Sequence, residues 1–194
     1  MTEVASVLYG REDIRRRVEE LGRTIAGDYV GREPVFVTVL KGGAMFLADL
    51  MRAVDLPVDV HFMAISRYGD APESMGRVQI LLDLDVDLTG RDVLLIEDIV
   101  DTGLTSRYLL SVLRSRGPAS LELCTLLDKS VRRIVPLVPR YAGFDCPDRF
   151  VVGYGLDFRE RYRNLPAIMQ VDDVPALELD PDVLAPLLVG PAAA

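Results

Sequence analysis

The feature that most constrains the fold is a set of short apolar runs that lack polar alternation. Residues 34–40 (PVFVTVL) form a largely β-branched run, and residues 92–96 (DVLLI) are apolar after the first position; both are typical of strands buried on both faces. Helical periodicity at 11–28 and 44–54 flanks the first run, and a further strand is predicted at 58–65. A strand, a helix and a strand in this order predict a βαβ unit and therefore a parallel sheet.

The same alternation continues along the chain and then gives way to a region of different character. The same criteria predict two more strands and one more helix, at 78–84, 121–127 and 104–115 respectively. Residues 66–77 are polar and interrupted by glycine and proline, which predicts a loop. After Pro136 the chain is irregular, with short strands predicted at 150–153 and 168–171. The sequence therefore predicts an α/β fold, a twisted and mainly parallel sheet flanked by helices, with a small appended lobe.

Composition and charge exclude several classes of protein. The 30 acidic and 22 basic side chains give a net charge of −8, which disfavours a nucleic-acid partner. Two cysteines, Cys124 and Cys146, cannot build a disulfide framework, and no apolar run approaches the ~18 residues of a membrane span. We expect a cytoplasmic protein with no nucleic-acid and no membrane partner. Arg132 and Arg133 form a basic patch too small to change this, and we expect a solvated turn there.

The most informative segment follows the apolar run 93–96. Two neighbouring carboxylates, Glu97 and Asp98, come first, and a Thr-Gly-x-Thr turn then precedes the next predicted helix. Ligands of open α/β sheets bind at the carboxyl ends of strands, and a helix N-terminus offers unpaired N–H groups to a phosphate. Carboxylates suit sugar hydroxyls or Mg²⁺ instead. The pattern predicts a site for a phosphorylated sugar, although an acidic helix-entry turn with a threonine cap has the same short motif.

Residues 96–105 (IEDIVDTGLT) resemble the phosphoribosyl pyrophosphate (PRPP) loop of the type I phosphoribosyltransferases. The form with Glu-Asp-x-x-Asp-Thr-Gly is similar to the branch that acts on 6-oxopurines, the hypoxanthine-guanine phosphoribosyltransferases. Three further segments match in family order: LKGG at 40–43, LDK at 127–129, and 147–166, which contains PDRFVVGYGLD and RYRNLP. Four motifs in order make the resemblance specific.

The resemblance covers about residues 6–171 and implies the type I phosphoribosyltransferase fold. It implies one domain at 1–171, with a core at about 30–135 and a hood lobe built from N-terminal residues and about 136–171. Residues 172–194 form a C-terminal tail to which no role is assigned.

The resemblance implies that Asp101 lies beside N7 of the purine and acts as general base while N9 attacks the anomeric carbon of PRPP. The purine must lose a ring proton in this step, and a positioned carboxylate can accept it. The residues implied to bind PRPP and its 5′-phosphate are Glu97, Asp98, Asp101, Thr102, Gly103, Leu104 and Thr105. Glu97 and Asp98 would face the ribose hydroxyls and Mg²⁺, and Asp157 would hold a second Mg²⁺.

Two further sets are implied for the pyrophosphate and the base. The pyrophosphate contacts are Lys41, Gly42 and Arg163, and the family often has a non-proline cis peptide before the lysine. The purine contacts are Lys129, Phe150 and Val151. Lys129 would donate to the exocyclic O6, Phe150 would stack on the ring, and the Val151 carbonyl would meet the 2-position edge. Because an amino group at position 6 would face another donor, we expect adenine to be a poor substrate.

The predicted loop corresponds to a segment that closes over the reaction centre and excludes water. Its residues Ser66, Arg67 and Tyr68 depart from the usual family pattern, because arginine stands where serine normally precedes the tyrosine. Arg67 could engage pyrophosphate, or the loop could shift by one residue.

The implied activity is magnesium-dependent transfer of phosphoribose from PRPP to hypoxanthine or guanine, by a homodimer or homotetramer. A PRPP-sensing regulator on the same fold and an enzyme that prefers xanthine are the alternatives. The retention of Asp101, Lys129, Phe150 and Asp157 favours an enzyme over a sensor.

Overall fold

The strands and helices of the chain follow the predicted alternation closely. The computed structural model describes residues 4–67 and 78–188. In chain order these residues form β1 (Ala5–Tyr9), α1 (Arg11–Asp28), β2 (Val35–Leu40), α2 (Ala44–Ala53), β3 (Asp59–Arg67), β4 (Val78–Leu82), β5 (Asp92–Val100), α3 (Leu104–Arg114), β6 (Ser120–Asp128), β7 (Tyr141–Asp145), β8 (Phe150–Val152), β9 (Ile168–Val171) and α4 (Val174–Leu179). None of these helices is long and apolar enough to cross a membrane.

The larger sheet has six strands in the order β4-β3-β2-β5-β6-β7. All pairs of neighbouring strands in this sheet are parallel except β3 and β4, which are antiparallel. Alternate residues of β2 serve the two faces: Phe36 packs in a cluster with α1 and α2, whereas Val35 and Val37 pack with Leu109 and Leu113 of α3. The predicted α/β fold, with a mainly parallel sheet flanked by helices, is confirmed.

The smaller sheet has the order β1-β9-β8 and is antiparallel throughout. It joins a strand near the start of the chain to two strands near its end, since Ala5 pairs with Val171. A third apolar cluster lies on it and includes Tyr162, Leu177 and Leu184. Residues 172–188, for which the sequence suggested no role, therefore pack on this lobe.

The end of β5 differs from the sequence prediction. β5 continues to Val100, so Glu97 and Asp98 lie inside the strand and not after it. Leu94, Ile96 and Ile99 all pack with the same cluster, so the two-residue alternation shifts between Ile96 and Ile99. The sequence prediction ended at Ile96 because the carboxylates Glu97 and Asp98 interrupt the apolar run there.

The predicted loop and the predicted lobe boundary also need correction. Ser66 and Arg67 belong to β3, because β4 pairs with them through Gln79 and Val78. The prediction that the lobe begins at about 136 is wrong for β7, which extends the larger sheet by pairing with β6. Its Gly143 lies so close to β6 that a Cβ there would be 2.5 Å from the Leu126 carbonyl oxygen.

Candidate active site

The predicted site residues gather at one edge of the larger sheet, where the parallel strands β2, β5 and β6 end. The peptide bond between Leu40 and Lys41 at the end of β2 is cis, as the resemblance implied. A Cβ on Gly42 would lie 1.7 Å from Oδ2 of Asp98, and a Cβ on Gly155 would lie 2.2 Å from the Gly42 carbonyl oxygen. Only glycine fits at position 155, which has φ +101° and meets backbone, whereas a side chain at Gly42 would have to displace the Asp98 carboxylate. Three of the four motifs therefore meet around Gly42.

The Thr-Gly-x-Thr turn connects β5 to α3. Gly103 is the N-cap of the helix. Its φ of +84° lies in the left-handed region, which favours glycine. Thr102 Oγ1 accepts a hydrogen bond from the Leu104 amide at 3.5 Å. The first N–H groups of α3, which has 11 residues, lie at this turn and have no partner within the helix. The turn can therefore donate backbone hydrogen bonds to an anion.

The oxygen atoms of Asp101 have different surroundings from those of a solvent-exposed carboxylate. Oδ1 is buried and accepts no hydrogen bond from the residues that the structure describes. Nε of Arg132 lies 3.6 Å from it, and the same nitrogen lies 3.8 Å from Oδ1 of Asp148. The Asp101 side chain as a whole is 43% exposed, so a ligand can approach the carboxylate from solvent at the strand end and give it a proton.

Arg133 corrects the prediction of a solvated turn. Its side chain is only 10% exposed and forms an ion pair with Asp128. The guanidinium also donates to the carbonyl oxygens of Val100 (3.2 Å), Asp101 (3.1 Å) and Leu137 (2.8 Å). Arg133 therefore ties the end of β5 to the end of β6, and it holds the backbone on which Asp101 stands. No local pattern marked it, because its partners come from three separate segments.

Lys129, Phe150 and Val151 lie where the larger sheet meets the lobe. Lys129 is 5% exposed. Its Nζ donates to the Arg149 carbonyl at 2.7 Å and lies 3.5 Å from Oδ1 of Asp148. Phe150 is 39% exposed and meets Phe158 edge to face, with ring centroids 6.0 Å apart. A fixed ammonium and an open aromatic face are suited to a planar ligand that accepts hydrogen bonds.

A charged cluster forms the opposite side of the site. Arg163 Nη2 lies 2.8 Å from Oδ1 of Asp157 and 3.4 Å from Oε2 of Glu160. Lys41 Nζ lies 2.8 Å from the same Glu160 oxygen. Its hydrogen bond to Glu160 lowers the pKa of that carboxyl. Sequence reasoning missed Glu160, although its position three residues from both Asp157 and Arg163 was a visible signal.

The carboxylates proposed as magnesium ligands fit a metal that arrives with its substrate. Glu97 is 8% exposed in β5, Asp98 accepts from the Ile99 amide at 2.8 Å, and Asp157 is paired with Arg163. Within residues 4–67 and 78–188, no group of three or more such side chains forms a metal site. Magnesium commonly binds through one or two carboxylates together with substrate phosphates, which this arrangement allows.

The predicted loop residues Ser66, Arg67 and Tyr68 lie partly beyond the residues that the structure describes. Ser66 and Arg67 end β3, next to the end of β2, because Leu40 pairs with Ala64. Tyr68 lies outside the residues that the structure describes, as does the remainder of the predicted loop up to residue 77.

Comparison with known proteins agrees with the geometry. A family model for the phosphoribosyl transferase domain matches residues 8–159. The hypoxanthine-guanine phosphoribosyltransferase of Mycobacterium avium is 48% identical over 176 residues, which cover 88% of this chain and 87% of that protein. Its counterpart in Bacillus subtilis is 45% identical over 166 residues, covering 86% of this chain and 92% of the relative.

A solved structure leads to the same conclusion. The crystal structure of a hypoxanthine phosphoribosyltransferase from Staphylococcus aureus superposes with a TM-score of 0.84 at 44% identity, and the match covers 90% of this chain and 93% of that one. The family model alone matches more than half of the chain. The chain therefore belongs to the phosphoribosyl transferase family.

Proposed function

We propose that the protein transfers the 5-phosphoribosyl group from PRPP to N9 of hypoxanthine or guanine, forming IMP or GMP and pyrophosphate. The observation that carries this proposal is the meeting of the strand-end motifs around Gly42, in a chain that is 45–48% identical to proteins named for this reaction. One set of segments supplies an anion-binding turn, a carboxylate, a buried ammonium and an exposed aromatic ring.

Asp101 is the proposed general base. Its side chain is 43% exposed, and Oδ1 accepts no hydrogen bond from the described residues, so the carboxylate is accessible and can accept the purine proton. Arg133 holds the Asp101 backbone through a hydrogen bond of 3.1 Å. A base held in this way needs little reorganisation before the proton moves.

Lys129 is the proposed determinant of base choice. Its ammonium is buried and anchored on the Arg149 carbonyl, so its remaining donors have restricted directions. O6 of hypoxanthine or guanine would accept one of them, whereas the 6-amino group of adenine would present a donor to a donor. Phe150 would cover one face of the base, and the Val151 carbonyl would contact its 2-position edge.

PRPP is proposed to bind with its 5′-phosphate on residues 101–105 and its pyrophosphate near Lys41, Gly42 and Arg163. Leu104 contributes through its backbone N–H group. Glu97 and Asp98 would hold the ribose hydroxyls and one Mg²⁺, and Asp157 would hold a second. When bound, magnesium would neutralise the negative charge that develops on the leaving pyrophosphate. Ser66, Arg67 and Tyr68 are proposed to belong to the segment that covers the site.

The test is a spectrophotometric assay of the protein with PRPP and Mg²⁺ against hypoxanthine, guanine, xanthine and adenine, with EDTA as control. Metal-dependent turnover of hypoxanthine and guanine is the expected result. Faster turnover of xanthine than of hypoxanthine and guanine would show that the enzyme prefers xanthine. Binding of PRPP without turnover of any base would select the PRPP sensor and refute the enzyme.

Assembly and location remain separate predictions. The family resemblance implies a homodimer or homotetramer, and the cytoplasmic location is expected from the sequence composition. Phe62 and Leu82, which are 41% and 48% exposed, are apolar side chains that such an interface could cover. Sedimentation velocity should give twice or four times the chain mass of 21.5 kDa.

A further inference from the structure

We propose that the Glu160 carboxylate is an internal anion that occupies the pyrophosphate subsite of the free protein and limits how tightly pyrophosphate is held. This inference rests on the proposed function, which assigns Lys41 and Arg163 to pyrophosphate. The family resemblance gives no role to Glu160. Its role is inferred from the contacts that its side chain makes with both cations.

One oxygen atom of Glu160 lies between the two cations. Oε2 is 2.8 Å from Lys41 Nζ and 3.4 Å from Arg163 Nη2. A phosphate oxygen would use the same donors, because ammonium and guanidinium groups bind carboxylates and phosphates in the same way. Glu160 and pyrophosphate therefore compete for one pair of cations.

The backbone around Glu160 directs its side chain toward this subsite. Arg159, Glu160 and Tyr162 have φ values of 50°, 66° and 73°, the left-handed region that residues with a Cβ rarely adopt. Such conformations persist where the surroundings hold them. The Glu160 amide donates to Oδ2 of Asp157 at 2.9 Å, which fixes the centre of the turn.

The C-terminal segment holds the other end of this turn. Tyr162 is 3% exposed, packs in the same cluster as Leu177 and Leu184, and donates its hydroxyl to the Pro181 carbonyl. Arg161 pairs with Asp182. The turn that presents Glu160 is thus braced by residues 172–188, which gives this segment a connection to the site.

The exposure of the pair makes the competition reversible. The side chains of Lys41 and Glu160 are 67% and 64% exposed. An exposed ion pair contributes little stability and exchanges readily, so pyrophosphate with its larger charge can displace the carboxylate. Glu160 thus weakens product binding without closing the site.

Isothermal titration of inorganic pyrophosphate, with Mg²⁺, into the full-length protein and into Glu160→Gln tests the inference. The variant should bind pyrophosphate about two- to five-fold more tightly at low salt, which is the scale of an exposed ion pair. The KM for hypoxanthine should not change. At 1 M salt, where the Debye length is about 3 Å, the two affinities should converge. Glu160→Asp keeps the charge and should restore part of the weaker binding.

Glu19→Gln is the matched control. Glu19 forms an exposed pair with Arg15 at 2.6 Å on α1, so the substitution removes the same charge and the same kind of contact elsewhere. It should leave pyrophosphate affinity unchanged. If both variants tighten binding equally, the effect belongs to net charge and the inference is wrong.

The remaining outcomes separate this inference from the proposed function. Equal or weaker pyrophosphate binding by Glu160→Gln, with normal turnover of 6-oxopurines by the unmodified protein, overturns the inference alone. If the unmodified protein neither binds pyrophosphate nor turns over any base with PRPP, the proposed function fails and the inference fails with it.

Discussion

The two ends of the candidate site use the same kinds of side chain in different surroundings. On the purine end, the side chains of Lys129 and Arg133 are 7% and 10% exposed, and each is fixed by backbone carbonyl oxygens. On the proposed pyrophosphate end, Lys41 is 67% exposed and pairs, among the described residues, with the exposed carboxylate of Glu160. Burial, more than residue type, therefore decides whether a cation is a fixed recognition element or an exchangeable one.

The largest effect should come from removing the proposed base at the buried end. Asp101→Asn should reduce turnover about 10²- to 10⁴-fold, because the amide cannot accept the purine proton. PRPP binding should remain nearly unchanged, since the backbone donors of residues 102–105 are retained. Turnover in rapid-mixing experiments and PRPP affinity by calorimetry measure the two quantities. Unchanged turnover would remove Asp101 from the mechanism.

The second effect concerns stability and compares a buried with an exposed cation. Arg133→Met should lower the free energy of unfolding by about 3–5 kcal/mol, because Asp128, whose side chain is 16% exposed, loses its partner. Lys41→Met should lower it by less than about 1 kcal/mol. Urea denaturation measures both. Equal losses would contradict the distinction between the two ends.

The third effect is on base selection. Lys129→Gln should reduce the preference for hypoxanthine over adenine about 10- to 100-fold, because the amide can accept from a 6-amino group as well as donate to O6. The same substitution at the exposed end, Lys41→Gln, serves as control and should leave the preference intact. The ratio of kcat/KM for the two bases is the measurement, and an unchanged ratio in Lys129→Gln would assign selection elsewhere.

The smallest effect should be on PRPP affinity at the exposed end. Lys41→Gln should raise the KM for PRPP about two- to five-fold at low ionic strength, since a solvent-screened charge contributes little. Near 1 M salt, with a Debye length of about 3 Å, the difference should vanish. A salt-independent increase of tenfold or more would show that Lys41 acts as a buried contact does.

Much of the fold was predictable because periodicity is a local signal. The helix predicted at 11–28 has those bounds in the structure, and the strands of the parallel sheet fall where apolar runs occur. The end of β5 was not predictable, because the charged residues Glu97 and Asp98 interrupt the apolar run while the strand continues to Val100. β7 was missed because five residues containing a glycine form a strand only when β6 is beside them.

The motifs of the site were predictable, but the contacts that support them were not. The four motifs that match the family in order predicted the segments around Lys41, Asp101, Lys129 and Arg163. Arg133 and Glu160 depend on partners far along the chain: the Glu160 contact with Lys41 spans 119 residues, and that of Arg133 with Val100 spans 33. Such long-range contacts form only when the chain packs into its tertiary structure, so no local sequence pattern indicates them.

The pairing of β1 with β9 has a consequence for synthesis of the protein. Ser6 and Asp172, hydrogen bonded at the edge of the smaller sheet, are 166 residues apart in sequence. During translation, β1 emerges well before β9 and lacks its partner strand until β9 has been made. Contacts of such long sequence separation form late, whereas the βαβ units of the larger sheet can assemble earlier. Phe150 and Val151 belong to this sheet, so the part of the proposed purine site that they form is completed only after β9 has been made.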